Sequence, residues 1–223
     1  ENRVPTAGHP LDRLVHGLNV HSPLSAGDRQ LVRDVPHSVR EVDPHAYLVR
    51  EGDAPGVCSV LITGFAYRHR STGDGDRQIL SIHIPGDAVD LQHLYLEEAD
   101  HSVQMLTRGT LAVIARADFE ALAEASLTLR RAIVVAMLVE GSIFREWIVN
   151  VGRRDARTRL AHLLCELAVR QRAQGLADGN SYDLPMTLEH LADATGLTSV
   201  HVSRTLKLLE DDGLLLRSKR RMS

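Results

Sequence analysis

Residues 198–207 read Thr-Ser-Val-His-Val-Ser-Arg-Thr-Leu-Lys. Thr198 is a favoured N-cap type, so a helix is expected to start at Ser199. On a wheel of about 100° per residue, Val202, Leu206 and Leu209 share one face. Val200, Ser203, Arg204 and Lys207 fall on the other face. Ser199 lies at the open N-terminal end and His201 to one side. Short hydroxyls and cations bond phosphate oxygens, and a guanidinium matches the paired acceptors on a guanine edge. Thr198, Ser199, Val200, His201, Ser203, Arg204 and Lys207 are therefore the candidate contacts to double-stranded DNA.

The preceding residues have the spacing needed to present such a helix. Thr187 can cap a first helix, Leu188 to Thr195, and Gly196 can supply the left-handed turn that ends it. Ala192 lies four residues before Gly196, where a small side chain lets two helices cross. Val202 comes six residues after Gly196 and fills the space between them. Leu191, Leu197, Leu206 and Leu209 complete a small core. This Ala-x3-Gly-x5-Val spacing is a helix-turn-helix pattern. Asp212-Gly213 stops the second helix. Leu214 to Arg217, followed by Lys219-Arg220-Arg221, reads as a strand entering a basic hairpin, a wing cut short at Ser223.

Charge supports a polyanionic partner. Residues 153–223 carry 12 Lys/Arg against 9 Asp/Glu, whereas residues 1–152 carry 14 against 20. With 43% hydrophobic and 25% charged residues, the chain has the composition of a folded soluble domain. Its longest apolar run, Ala132 to Val139, falls far short of the ~20 residues of a membrane span. No signal peptide is visible. Two cysteines, Cys58 and Cys165, exclude a disulfide scaffold and any cysteine-only cluster site, and point to the reducing cytoplasm. The 12 histidines fall at spacings that fit no metal motif, so no metal is assigned. There is no Gly-rich phosphate loop, nucleophile elbow or His-Glu-x-x-His, so an enzyme is not expected.

The first half has a different texture. Residues 11–35 suggest two short helices, with Ser25 capping the second. From Val39 to Ile114, short alternating runs such as Val57 to Ile62, Phe65 to Arg70, Gln78 to Ile84 and Leu111 to Ala115 are separated by glycines. They predict an all-β sandwich or barrel, with a hairpin tip at Gly73-Asp74-Gly75-Asp76. A short helix capped by Asp118 follows. A long helix from Leu127 to Val151 then carries two apolar stripes. The first, Ile133, Met137, Glu140, Phe144 and Trp147, continuing to Val151, is the expected dimer seam; the second, Leu129, Ala132, Ala136, Val139 and Ile143, is the alternative seam, and a plain core helix within one monomer is the other reading. The fold class is α+β, divided into residues 1–125, 126–152 and 153–223.

These landmarks carry a resemblance. Leu48-Val49-Arg50-Glu51-Gly52-Asp53, Gly64 and Pro85-Gly86-Asp87, with Gly196-Leu197-Thr198 and Val202-Ser203-Arg204, resemble the CRP/FNR superfamily of bacterial regulators, over nearly the whole chain. The resemblance implies a β-roll of the cyclic-nucleotide-binding, jelly-roll type, a long dimerisation helix and a winged helix-turn-helix. It further implies a homodimeric transcription regulator reading an inverted-repeat operator, with RNA polymerase as a partner if it activates. It places the effector pocket at Gly86, Asp87, Asp90, Leu91, His101 and Ser102.

In nucleotide-binding members a glutamate holds the ribose and an arginine ten residues on holds the phosphate. Ungapped counting puts Leu91 and His101 there, so cyclic AMP is not expected unless Arg108 or Arg77 reaches in. Cys58 alone cannot supply the iron–sulfur cluster of the oxygen sensors. No cofactor is assigned, and haem stays open without named ligands. Many members have a glutamate where this chain has Val200. The alternatives are a haem- or small-ligand-sensing module of the same fold, and a ligand-binding protein without DNA function.

Overall fold

Short alternating strands closed by glycine turns build two four-stranded sheets, and the computed structural model describes residues 8–218 and 220–223. Two helices come first, α1 (Asp12–His21) and α2 (Ala26–Asp34), the latter opened by a capping box between Ser25 and Asp28. One sheet has the order β1 (Ser38–Val42), β8 (Gly109–Ala115), β3 (Val57–Thr63), β6 (Ala88–Val89). The other has the order β2 (Tyr47–Val49), β7 (Ser102–Met105), β4 (Ala66–Ser71), β5 (Arg77–His83). Ladders run antiparallel, with Ser38 opposite Val113 and Cys58 opposite Ile114.

Strand alternation decides where each side chain goes. Val60, Ala112 and Ile114 join Leu11 at the N-cap of α1, Leu14 and Leu18 of α1, Phe119 and Leu122 of α3 (Arg116–Ala125), and Leu129, Ala132 and Ile133 of α4 (Leu127–Arg153). Leu61 and Leu111 turn the other way, against Val49, Val103 and Met105. The start of α4 is thus part of the β-roll's own core.

Contacts divide the chain into two units, one holding 8–68 with Ile82–Ser142, the other His69–Ser81 with Ile143–Ser223. The long helix is shared between them rather than standing apart. In the second unit α5 (Ala156–Ala173), capped by Asp155, is followed by α6 (Leu188–Thr195) and α7 (Ser199–Asp211). A small sheet has the order β10 (Arg217–Ser218), β11 (Arg221–Met222), β9 (Tyr182–Asp183). The Tyr182 hydroxyl donates to the Leu164 carbonyl at 2.9 Å, and the Trp147 indole donates to Glu166 at 2.6 Å.

Three local expectations change. Ala115, not Asp118, is the N-cap of α3, and Asp118 sits in its first turn. Pairing in the wing begins at Leu216 rather than Leu214: Leu216 exchanges backbone hydrogen bonds with Ser223 at 2.8 and 3.0 Å, next to the β10–β11 ladder. The polar stretch 175–183 contributes β9, whose Tyr182 pairs with Met222. Lys219 of the basic hairpin lies outside the described residues.

Two glycines close the β-roll where β3 turns into β4. Gly64 has φ +84, and a Cβ on Gly109 would stand 2.3 Å from the Thr63 carbonyl oxygen. The nearest obstacle at each is backbone, Gly109 Cα at 2.7 Å for Gly64 and the Thr63 oxygen for Gly109, and backbone cannot swing aside. Gly109→Ala is therefore expected to cost about 2–3 kcal/mol, an overpacking penalty. Gly52→Ala meets no atom within 4 Å but keeps φ +86; it is expected to cost only about 1 kcal/mol. Urea unfolding of the two variants checks the order.

Candidate nucleic-acid interface and effector pocket

Local chemistry sets the presentation of α7. Gly196 takes φ 64, and its amide donates to the Ala192 carbonyl, closing α6. Thr198 Oγ1 accepts from the His201 amide at 3.2 Å, opening α7. Val202, Thr205, Leu206 and Leu209 are buried, while Ser199, Val200, His201, Ser203, Arg204 and Lys207 are exposed. Arg159 braces the turn by donating to the Thr195 carbonyl at 3.0 Å and the Arg154 carbonyl at 2.8 Å.

Two of the expected contacts have structural work of their own. Thr198 is the cap, and Lys207 Nζ pairs with Asp211 at 2.8 Å. Arg204 makes no ion pair among the described residues. The free outward set is thus Ser199, Val200, His201, Ser203 and Arg204.

Most of the six expected pocket residues are bonded to, or packed on, other parts of the β-roll. The Gly86 amide bonds the Leu61 carbonyl at 2.7 Å, and Asp87 Oδ2 accepts from the Ile84 amide at 2.9 Å. Ser102 Oγ accepts from the Glu51 amide at 3.0 Å. Leu91 is buried in the helix-side core. A cavity of about 240 Å³, lined by Leu48, Val49, Asp53, Val57 and Val89 among others, contains none of the six.

Only Asp90 and His101 meet, and a residue the sequence reading did not single out joins them. Arg68, on β4 and 2% exposed, donates from Nη2 to Asp90 Oδ1 at 2.7 Å and from Nη1 to Glu140 on α4 at 2.9 Å. His101 Nε2 lies 2.8 Å from Asp90 Oδ1, and its Nδ1 lies 2.6 Å from Asp100 Oδ1. His93 stacks on His101 with ring centroids 5.8 Å apart. Neither arginine considered from sequence enters: Arg108 pairs with Glu41 at the surface, and Arg77 pairs with Asp193 of α6. The sequence offered little signal for Arg68, one of two arginines in a strand that reads Ala-Tyr-Arg-His-Arg-Ser.

Burial alone would push the Asp90 carboxyl up. The His101 bond and the Arg68 charge outweigh it and hold that carboxyl well below the usual range. The His101 bond likewise lowers Asp100. Burial lowers the pKa of His93, favouring its neutral form. Both ring nitrogens of His101 face carboxylate oxygens that only accept, so both bonds form when the ring carries two protons. Positive charge at this site is already matched by carboxylates, and an incoming phosphate would have to displace them.

The residues of the expected dimer seam differ in exposure within the single chain. Ile133 is fully buried in the core, and Met137 packs against it. Glu140 binds Arg68, Trp147 is 6% exposed and bonds Glu166, and Phe144 is half-buried. That stripe serves this chain's own fold. The exposed apolar residues of α4 are Leu127, Val134, Leu138, Ile148 and Val149. Four of them, Leu127, Val134, Leu138 and Ile148, fall on a heptad face that Arg131, Gly141 and Arg145 interrupt, which hid it in the sequence.

No helix of the described residues is long and apolar enough to cross a membrane. Among the described residues no group of three His, Cys, Asp or Glu is placed to hold a metal ion. Residues 39–126 match the cyclic nucleotide-binding domain model, and residues 158–223 match the Crp-like helix-turn-helix domain model. The chain is 30% identical over 171 residues to the transcriptional activator protein FnrL of Cereibacter sphaeroides, covering 75% of this chain and 68% of that protein. It is 28% identical over 184 residues to the nitrogen fixation regulation protein FixK of Rhizobium meliloti, covering 81% and 79%. Its fold matches the structure of FixK2 from Bradyrhizobium japonicum with a TM-score of 0.76 at 23% identity, over 84% of this chain and 91% of that one.

The buried network sets a stability test. Removing Arg68 as Arg68→Met leaves the Asp90 charge unbalanced in the interior, at an expected cost of about 3–5 kcal/mol. Adding Asp90→Asn to that variant should recover part of the loss. The depressed Asp90 carboxyl contributes stability above its unfolded pKa of about 4, lost as pH falls through the folded value. Asp90→Asn alone should flatten that acid limb. Urea unfolding between neutral and acid pH measures both effects.

Proposed function

The chain belongs to the CRP/FNR family of bacterial transcription regulators, and from that premise we propose that it works as a cytoplasmic homodimer reading an inverted-repeat operator through α7. The observation that carries the proposal is the outward face of α7, where Arg204 stands exposed and unpaired over a buried Val202–Leu206–Leu209 face. Two recognition helices related by a two-fold axis fit successive major grooves about 34 Å apart. The basic hairpin behind α7 supplies further phosphate contacts. FnrL carries the name of a transcriptional activator; if this chain acts likewise, RNA polymerase is its protein partner.

The same proposal leaves cyclic AMP out. Leu91 is core, and the one arginine inside the β-roll network is held by Asp90 and Glu140. Burying a nucleotide phosphate there requires breaking a buried ion pair first. Dimerisation is assigned to the exposed face of α4, with Leu138 at 63% and Ile148 at 72% exposure. An apolar heptad face of this kind is covered by its symmetry mate.

A mobility-shift titration in graded salt tests the DNA assignment. The wild-type protein should discriminate operator from unrelated duplex with a steep salt slope. Arg204→Ala should lose about 1–3 kcal/mol of discrimination per half-site while the fold stays intact. Added cyclic AMP should leave the affinity unchanged. Operator binding by Arg204→Ala that matches wild type would defeat the assignment of α7.

Sedimentation tests the seam. Leu138→Glu should yield a folded monomer. Trp147→Ala should instead lower stability by about 3–5 kcal/mol, as a buried aromatic does, and leave the folded fraction dimeric.

A further inference from the structure

We infer that Val200 selects thymine through its 5-methyl group at one base pair of each half-site, beside the guanine that Arg204 reads. The inference rests on the proposed DNA-binding role of α7 and specifies what that helix reads.

Val200 is the second residue of α7 and 61% exposed. A β-branched residue there gives nothing to helix propensity, since its side chain loses rotamers against the preceding turn. It also gives nothing to the core, whose contacts come from Val202, Leu206 and Leu209. The N-terminal turn of such a helix is the part that reaches base edges in the major groove. Leu208, also exposed on α7, lies two turns further along, between the paired Lys207 and Asp211.

Arg204 stands one turn after Val200, about 6 Å along the axis and turned by about 40°. Neighbouring base pairs are about 3.4 Å apart, so the two side chains address bases within about two steps of each other. Ser203 and His201 flank them and are exposed.

A valine side chain has neither donor nor acceptor. Laid on cytosine it would cover the N4 amino donors, and on adenine or guanine the N7 acceptor, without replacing their bonds to water. Laid on thymine it covers a methyl group instead. The apolar contact therefore both attracts thymine and rejects the alternatives. A glutamate at the same position would do the opposite, because a carboxylate accepts from cytosine N4.

The test uses the full chain and operators selected from a randomised duplex pool. Deoxyuridine then replaces thymidine at each selected position, removing only the methyl. At one position per half-site the wild-type affinity should fall about fourfold, and about 15-fold when both half-sites are changed. There, 5-methylcytosine should bind better than cytosine. Val200→Ala should lose the distinction between thymidine and deoxyuridine while still requiring the guanine that depends on Arg204. Val200→Glu should move the preference at that position toward cytosine. Tolerance of deoxyuridine everywhere by the wild type, or full methyl sensitivity in Val200→Ala, would overturn the inference and leave the DNA-binding role standing. A wild-type protein with no sequence preference at all would sink that role, and this inference with it.

Discussion

A guanidinium sealed inside a β-roll must be met by carboxylates, and much of the first unit is organised around meeting it. Arg68 is 2% exposed, and the Asp90 side chain facing it is 4% exposed. Either charge alone would cost several kcal/mol to bury. The pair holds because Asp90 Oδ1 accepts from both Arg68 and His101, and because Glu140 takes the second arm of the guanidinium. Asp90 reaches this place in a left-handed conformation, φ 64, immediately before the 3-10 turn Leu91–Leu94. That turn drops Leu91 and Leu94 into the helix-side core. The residue expected to face a ligand is thus the residue that anchors the turn.

The long helix has to satisfy different neighbours around its circumference. Leu129, Ala132 and Ile133 are claimed by the sheet and by α1 and α3. Glu140 is claimed by Arg68, and Trp147 by Glu166 of α5. What stays open is the Leu127–Val134–Leu138–Ile148 line. An apolar line on a helix already anchored by its other sides has no further partner within the described chain. That open line is what supports the proposed symmetric mate.

The helix-turn-helix was legible because its determinants are local. Ala192, Gly196, Thr198 and Val202 act within a few residues of one another, and each appears in the structure in its expected role. The β-roll was legible from alternation and glycine turns for the same reason. The pocket was not, since the partner of Asp90 is Arg68, 22 residues earlier, on a strand of the other sheet. Counting from Gly86 could reach Leu91 and His101 but could not show that an arginine arrives from elsewhere. The seam was hard to read on another ground. Several stripes on α4 fit a heptad about equally well, and only the position of β3, β8 and α3 decides which one turns inward.

The network is not equally firm at its two ends. Asp90 is sealed, so its bond to Arg68 has no competing water. Glu140 is 26% exposed, so water can replace Arg68 there at much lower cost. The exchangeable contact is the one on α4, and the fixed one lies within the β-roll. A perturbation of the β-roll that moved Arg68 would therefore break at Glu140 before it broke at Asp90. The β-roll would keep its internal ion pair while the helix proposed to hold the dimer lost a tether. Such an arrangement lets the β-roll stay folded and closed to anions while its grip on α4 varies.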